Sequence, residues 1–243
     1  MAGHSKWAQI KRKKAKTDAQ RGKLFTKLGR EIIVAAREGG GDPDGNARLK
    51  AAVQRAKEAN MPNENIARAI QKGAGNLDGN AYEELFYEGY GPGGVAVLVR
   101  GLTDNRNRTS ADVRHLFSKY GGNLGEAGCV AWQFQPQGVI IVDRVAAEVS
   151  EDEMTLLVLD AGADDMVTTE EAFELTTAPE ELNSVRESLS NQGIEVAEAE
   201  ITMVPQTLIS VGDEDAERLT ELVEMLEEHD DVQEVYTNLD SGE

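Results

Sequence analysis

The chain has 243 residues, 40% hydrophobic and 28% charged, with a formal net charge of −19. That length fits one large domain or two to three small ones, with enough apolar content for real cores. The longest apolar runs, VAVLV at 95–99 and GVIIV at 138–142, fall well short of the ~18 residues of a spanning helix, and one cysteine, Cys129, excludes an internal disulfide. The charged opening has no apolar run behind it and reads against a secretory signal, so the expected address is cytoplasmic, without a membrane partner.

The charge is unevenly placed. Residues 1–75 hold 17 Lys/Arg and 7 Asp/Glu, whereas residues 76–243 hold 8 and 37. The densest part, residues 5–23, carries eight cations and one aspartate. Such asymmetry reads as a basic arm for a polyanion joined to an acidic, solubilising body.

In chain order, the first third predicts helices. Thr17 and Gln20 make a capping box, and Leu24, Phe25, Leu28, Ile32 and Ala36 recur at helical spacing until glycines 39–41 stop the helix. Asn46 caps a second helix with Leu49, Val53 and Ala56 on one face. Asn63 caps a short third helix with Ile66 and Ile70 inward, closed at Lys72-Gly73. Lys11 to Lys16 offer nothing to bury and are expected to order only on binding. Residues 73–80, GAGNLDGN, read as a linker.

Beyond it, strands are expected at 82–90 and 95–102, a helix at 108–120 and a strand at 130–134. Then follow a strand at 138–143, a helix at 151–161, strands at 165–167 and 172–176, a helix at 179–191 and a strand at 195–203, the β-α-β-β-α-β order of the ferredoxin-like motif. The tail predicts a strand at 207–211, a helix at 213–228 and a strand at 232–239, which with residues 82–134 would complete a second such unit. The expected fold is therefore α+β: a small N-terminal helical bundle (1–77), then two ferredoxin-like α/β domains, one (137–204) inserted in the other (78–136 plus 205–243).

Candidate nucleic-acid contacts lie in two places. Lys6, Lys11, Arg12, Lys13, Lys14, Lys16, Arg21, Lys23, Lys27 and Arg30 have the charge density to neutralise phosphates, and the Trp7 indole can stack on a base. The competing reading folds this arm back onto the protein's own acidic body. In TDNRNRT, residues 103–109, a strand hands over to a helix. There Arg106 and Arg108 offer guanidinium forks, with Asn105, Asn107 and Thr109 as further donors, for a phosphate or RNA backbone. The alternative is a capped loop whose arginines pair with nearby carboxylates.

No catalytic chemistry is expected. Residues 89–94 match G-x-G-x-x-G, but a strand rather than a helix follows, so they read as a strand-to-strand turn. Walker, zinc-protease, C-x-x-C and nucleophile-elbow motifs are missing, and His4, His115 and His229 are scattered. Neither a metal nor a cofactor is anticipated.

Several long motifs resemble the YebC/PmpR family, whose mitochondrial relatives include the translational activator of cytochrome c oxidase subunit I. They are MAGHSKW, RGKLFTKLGREI, GGGDPDGNARL, RAIQKG, YEGYGPGGVAV, TDNRNRTSADVRH, GGNLGEAGCVAWQF and DVQEVY. The resemblance covers nearly the whole chain. It implies three domains, the first helical, and no catalytic residues. It also implies a DNA-binding transcriptional regulator in the cytoplasm, or, in a competing description, a ribosome-associated translation factor assisting elongation through difficult sequences such as proline runs. Arg106 and Arg108 match the family's loop. Cys129 stands where serine is common, and Gln135-Pro136-Gln137 replaces an often basic stretch, so no contacts are assigned there. The expected partner is DNA or ribosomal RNA, with the ribosome as the larger target of the second reading. A third reading makes the α/β domains sensors of a ligand or protein.

Overall fold

The computed structural model describes residues 18–75 and 82–240. They form an α+β structure with a helical N-terminal part and two four-stranded antiparallel sheets. The expected Thr17–Gln20 capping box and most of the expected linker lie outside the described residues.

Three helices open it: α1 (Asp18–Gly39), α2 (Ala47–Glu58) and α3 (Asn63–Ala74). Ile32, Ala35 and Ala36, then Leu49, Ala52, Val53 and Ala56, then Ile66 and Ala69 recur at three- and four-residue spacing and close one shared core. Asn46 caps α2 as its sequence position predicts, accepting from the Leu49 N–H at 3.1 Å. Its amide also donates to the Ala35 carbonyl at 2.7 Å, tying the turn to α1. A Cβ at Gly73 would fall 2.4 Å from the Ile33 carbonyl oxygen, so α3 crosses α1 at a distance that only glycine permits.

Strands β1 (Glu83–Tyr90) and β2 (Ala96–Thr103) form an antiparallel hairpin through a turn at 91–95, where Gly93 takes a φ of +68°. Helix α4 (Arg106–Lys119) and the two-residue strand β3 (Asn123–Leu124) follow, β3 pairing with β1. The strand expected at 130–134 is not formed, because Glu88 claims its backbone. The buried Glu88 carboxylate accepts from the N–H groups of Gly128, Val130 and Ala131 at 2.7, 2.8 and 2.7 Å, donors a ladder would need.

A second compact unit runs through residues 132–211 and resumes at Asn238. It holds β4 (Phe134–Asp143), the single turn α5 (Arg144–Ala147), α6 (Glu151–Ala161), β5 (Asp165–Thr168), β6 (Ala172–Thr177), α7 (Leu182–Asn191) and β7 (Glu198–Pro205). Its sheet order, β5-β6-β4-β7, follows the expected β-α-β-β-α-β succession. Ser150 and Glu153 form a reciprocal capping box at the start of α6. Ile140, Val142, Met154, Val158, Phe173, Leu175, Val185 and Leu189 fill the core. The strand expected at 207–211 reduces to one bridge between Ile209 and Leu239.

The tail then returns to the first unit. Helix α8 (Asp213–Glu228) buries Leu219, Leu222 and Leu226, and β8 (Val232–Thr237) pairs antiparallel with β2, giving the order β3-β1-β2-β8. The first sheet is thus assembled from segments more than 100 residues apart, in the succession β-β-α-β, then α-β. With a partner on each side, β2 is central, and its Val97, Leu98 and Val99 are all buried. No helix among the described residues is long and apolar enough to cross a membrane.

Candidate nucleic-acid interface

On α1, Lys23, Lys27 and Arg30 fall four and three residues apart and share one face. That face meets the carbonyl end of α8. Lys23 Nζ donates to the Glu228 carbonyl at 3.4 Å, Lys27 Nζ to the Glu227 carbonyl, and Arg30 Nη1 to the Asp230 carbonyl. The last carbonyls of a helix lack intrahelical partners and carry the negative end of its dipole, so cations are favoured there. Part of the basic segment is therefore engaged by the protein's own acidic body, in line with the competing reading of the sequence.

Behind this contact lies Asp231, whose side chain is only 3% exposed. Its Oδ1 accepts from Arg30 Nη1 at 2.7 Å and its Oδ2 from Arg108 Nη2 at 2.8 Å. The Thr109 hydroxyl lies 2.7 Å from the same Oδ2 and 2.8 Å from the Thr103 hydroxyl. Burial alone would raise the Asp231 pKa. The hydrogen bonds from Arg108 and Thr109 and the charges of Arg30 and Arg108 outweigh it and bring the value down to about 2.

Arg108, at the start of α4, is the outer member of this cluster. Its Nη2 also donates to Asp104 at 2.9 Å, and its pKa is raised, chiefly by the hydrogen bonds to Asp231 and Asp104. Both bonds use one nitrogen and the side chain is 47% exposed, which leaves Nε and Nη1 without a hydrogen bond among the described residues. Next to it Arg106 is exposed, with no hydrogen bond or ion pair among the described residues, and Asn107 is exposed too. An open polar cleft of about 520 Å³ is lined by Lys23, Arg30, Asp104, Arg108, Glu228 and Asp231.

Not every predicted contact residue faces this cleft. Thr109 is fully buried, and its hydroxyl serves Asp231 and Thr103, so it is out of reach of a polyanion. Asn105 is the N-cap of α4, its Oδ1 accepting from the Arg108 N–H at 3.1 Å. Arg21 is exposed on α1. Lys6, Trp7, Lys11, Arg12, Lys13, Lys14 and Lys16 lie outside the described residues.

Known proteins match the chain along nearly its whole length. The TACO1/YebC protein N-terminal domain matches residues 5–76, and the TACO1/YebC second and third domain matches residues 82–239. The chain belongs to the TACO1/YebC family. It is 61% identical to a "Probable transcriptional regulatory protein" of Pelotomaculum thermopropionicum, over 98% of both chains. A protein of the same name from Desulforamulus reducens is 59% identical, again over 98% of both. The crystal structure of a conserved hypothetical protein from Aquifex aeolicus superposes with a TM-score of 0.85 at 53% identity, covering 97% of each chain.

For this TACO1/YebC chain, sequence reasoning misses the residue that organises the cleft. Asp231 follows His229 and Asp230 at a helix end and looks like one more solvated acid; its partners lie more than 120 residues away. His229 supports it: Nδ1 accepts from the Asp231 N–H at 3.1 Å, which leaves the ring proton on Nε2, facing Asp112 Oδ2 at 3.2 Å. The helical part is locked to the first sheet by a second cluster, in which buried Glu31 accepts from Arg48 at 3.1 Å and from Arg100 at 2.9 Å, and Glu84 accepts from Arg100 Nε at 2.6 Å. Among the described residues, no group of three or more His, Cys, Asp or Glu is placed to hold a metal ion.

Proposed function

We propose that this chain is a non-enzymatic, nucleic-acid-binding regulator of gene expression acting in the cytoplasm. Its contact surface would comprise the basic N-terminal segment together with Arg106 and Arg108. The observation that carries this reading is the half-exposed Arg108 guanidinium, held at Nη2 by a buried carboxylate, with Nε and Nη1 unbonded among the described residues, beside exposed Arg106. A preset guanidinium loses less freedom on meeting a phosphate than a mobile one does. The surplus of acids after residue 75 repels nucleic acid and confines contact to this basic side. The names of the bacterial relatives agree with a regulator.

Duplex DNA is the target that those names favour. A ribosomal-RNA-binding translation factor is the second reading, favoured by the concave groove between α1 and α3, whose shape suits an unpaired base better than the edge of a paired one. Parallel salt titrations of the full chain on duplex DNA and on ribosomes test both. Contact with ~6–10 phosphates lowers duplex affinity on the order of 10³–10⁵ between about 50 and 200 mM salt. Ribosome binding that persists where duplex binding is lost favours the second reading, and binding to neither rejects the proposal.

A further inference from the structure

The groove between α1 and α3 has its own chemistry. Phe25, Gly29 and Ile33 recur every four residues along α1, so they form one ridge in which a glycine replaces the middle side chain. The gap stays open: a Cβ at Gly29 would meet nothing within 4 Å among the described residues. The result is a concavity of about 330 Å³, at the small end of the roughly 300–1,000 Å³ typical of ligand sites. Phe25 and Ile33 wall one side, and Met61 and Ala69 line the other. Asn65, Arg68 and Lys72, on one face of α3, form a polar and cationic rim.

We propose that this groove takes one unpaired nucleotide, its base against Phe25 and its phosphate at Lys72 and Arg68. The assignment deepens the nucleic-acid reading above and rests on it. Lys72 is exposed and makes no ion pair or hydrogen bond among the described residues. Among the described residues Arg68 pairs only with Glu64, one turn earlier, both side chains more than two-thirds exposed, so solvent screens the pair and a phosphate can displace it. An aromatic wall below two cations suits a base with its phosphate, and Asn65 offers both a donor and an acceptor to the base edge. A paired base cannot enter, because its faces are stacked inside the duplex, whereas a splayed one can.

Fluorescence titration of the full chain tests this, using a single-stranded oligonucleotide carrying 2-aminopurine and the same sequence as a duplex. Gly29→Leu adds a side chain where a Cβ meets nothing within 4 Å among the described residues, and replaces a poor helix former with a good one. Phe25→Leu keeps the apolar packing but removes the ring. Both should weaken single-strand binding roughly ten-fold or more while leaving duplex binding unchanged. Lys72→Gln should lower the salt slope for the single strand by about one. A folded Gly29→Leu chain that binds the single strand like the parent overturns the groove assignment alone. A parent chain that binds neither form overturns the nucleic-acid reading and the groove with it. Stronger displacement of the probe by a Glu- and Phe-rich peptide than by unlabelled single strand also overturns the assignment, in favour of a protein partner.

Discussion

Asp231 holds Arg108 by a 2.8 Å hydrogen bond in which the acceptor is buried and the donor half exposed. The arrangement holds a half-exposed cation from within. The same carboxylate takes Arg30 on its other oxygen, so α1, α4 and the segment leading into β8 converge on one group. Asp231→Asn leaves the inward Arg30 guanidinium without its counter-charge and should cost about 3 kcal/mol. Urea unfolding of the two chains at pH 7 measures it; a change of only a few tenths would mean that the cluster is solvated and weak.

The acid limb of stability follows from the same group. The folded-state pKa of Asp231 lies near 2 against an ordinary 3.8, so its contribution is complete above 3.8 and disappears as pH falls through about 2. Glu31 and Glu88 act in the same direction. Burial would raise both, but the charges of Arg100 and Arg48 lower Glu31, and the backbone N–H groups of Gly128, Val130 and Ala131 lower Glu88. Unfolding free energy should decline steadily below about pH 4, with about 2 kcal/mol of the loss due to Asp231. Asp231→Asn, which cannot titrate there, should show a shallower decline, and parallel curves would refute the assignment.

The local devices of this fold are legible in the amino-acid order itself. Asn46 and the Gly89–Gly94 turn act within a few residues, so residue type and spacing are enough to place them, although Asn63, expected as a cap, is instead the first residue of α3, with Pro62 at the cap position. The return of the tail is legible as well, because β1, β2 and α4 lack the strand and helix that α8 and β8 provide. What escapes is anything set by a distant side chain. Residues 130–134 have the composition of a strand, yet Glu88 takes their N–H groups from across the unit. Thr109 reads as a donor for a ligand until Asp231, 122 residues on, is seen to share its hydroxyl. Residues 207–211 are apolar enough for a strand but, among the described residues, find only Leu239 as a bridge partner.

Arg106 and Arg108 look equivalent in TDNRNRT and should behave differently. Arg106 is exposed and unbonded among the described residues, so Arg106→Gln should shift stability by no more than about 0.5 kcal/mol. If it meets a phosphate, the slope of log affinity against log salt should fall by about one. Arg108→Gln should also lower the melting temperature, since it removes a cation from buried Asp231. Calorimetry and nucleic-acid titration on both variants separate the two roles; equal melting temperatures would show that Asp231 does not depend on Arg108.

Gly73 and Gly22 form a matched pair on neighbouring helices. Alanine is the better helix former by about 1 kcal/mol at either site, so propensity alone favours both substitutions. At Gly73 the new Cβ would lie 2.4 Å from a backbone carbonyl oxygen and 2.8 Å from the Ala36 Cβ, and backbone cannot yield as a flexible side chain can. Forcing α1 and α3 apart strains the shared core, and overpacking of this kind costs about 1–3 kcal/mol, enough to reverse the propensity gain. At Gly22 nothing among the described residues lies within 4 Å, so the gain should survive, and Gly22→Ala should raise the unfolding free energy by up to about 1 kcal/mol. Opposite signs are expected in urea unfolding, and stabilisation by Gly73→Ala would show that the α1–α3 crossing has room to spare.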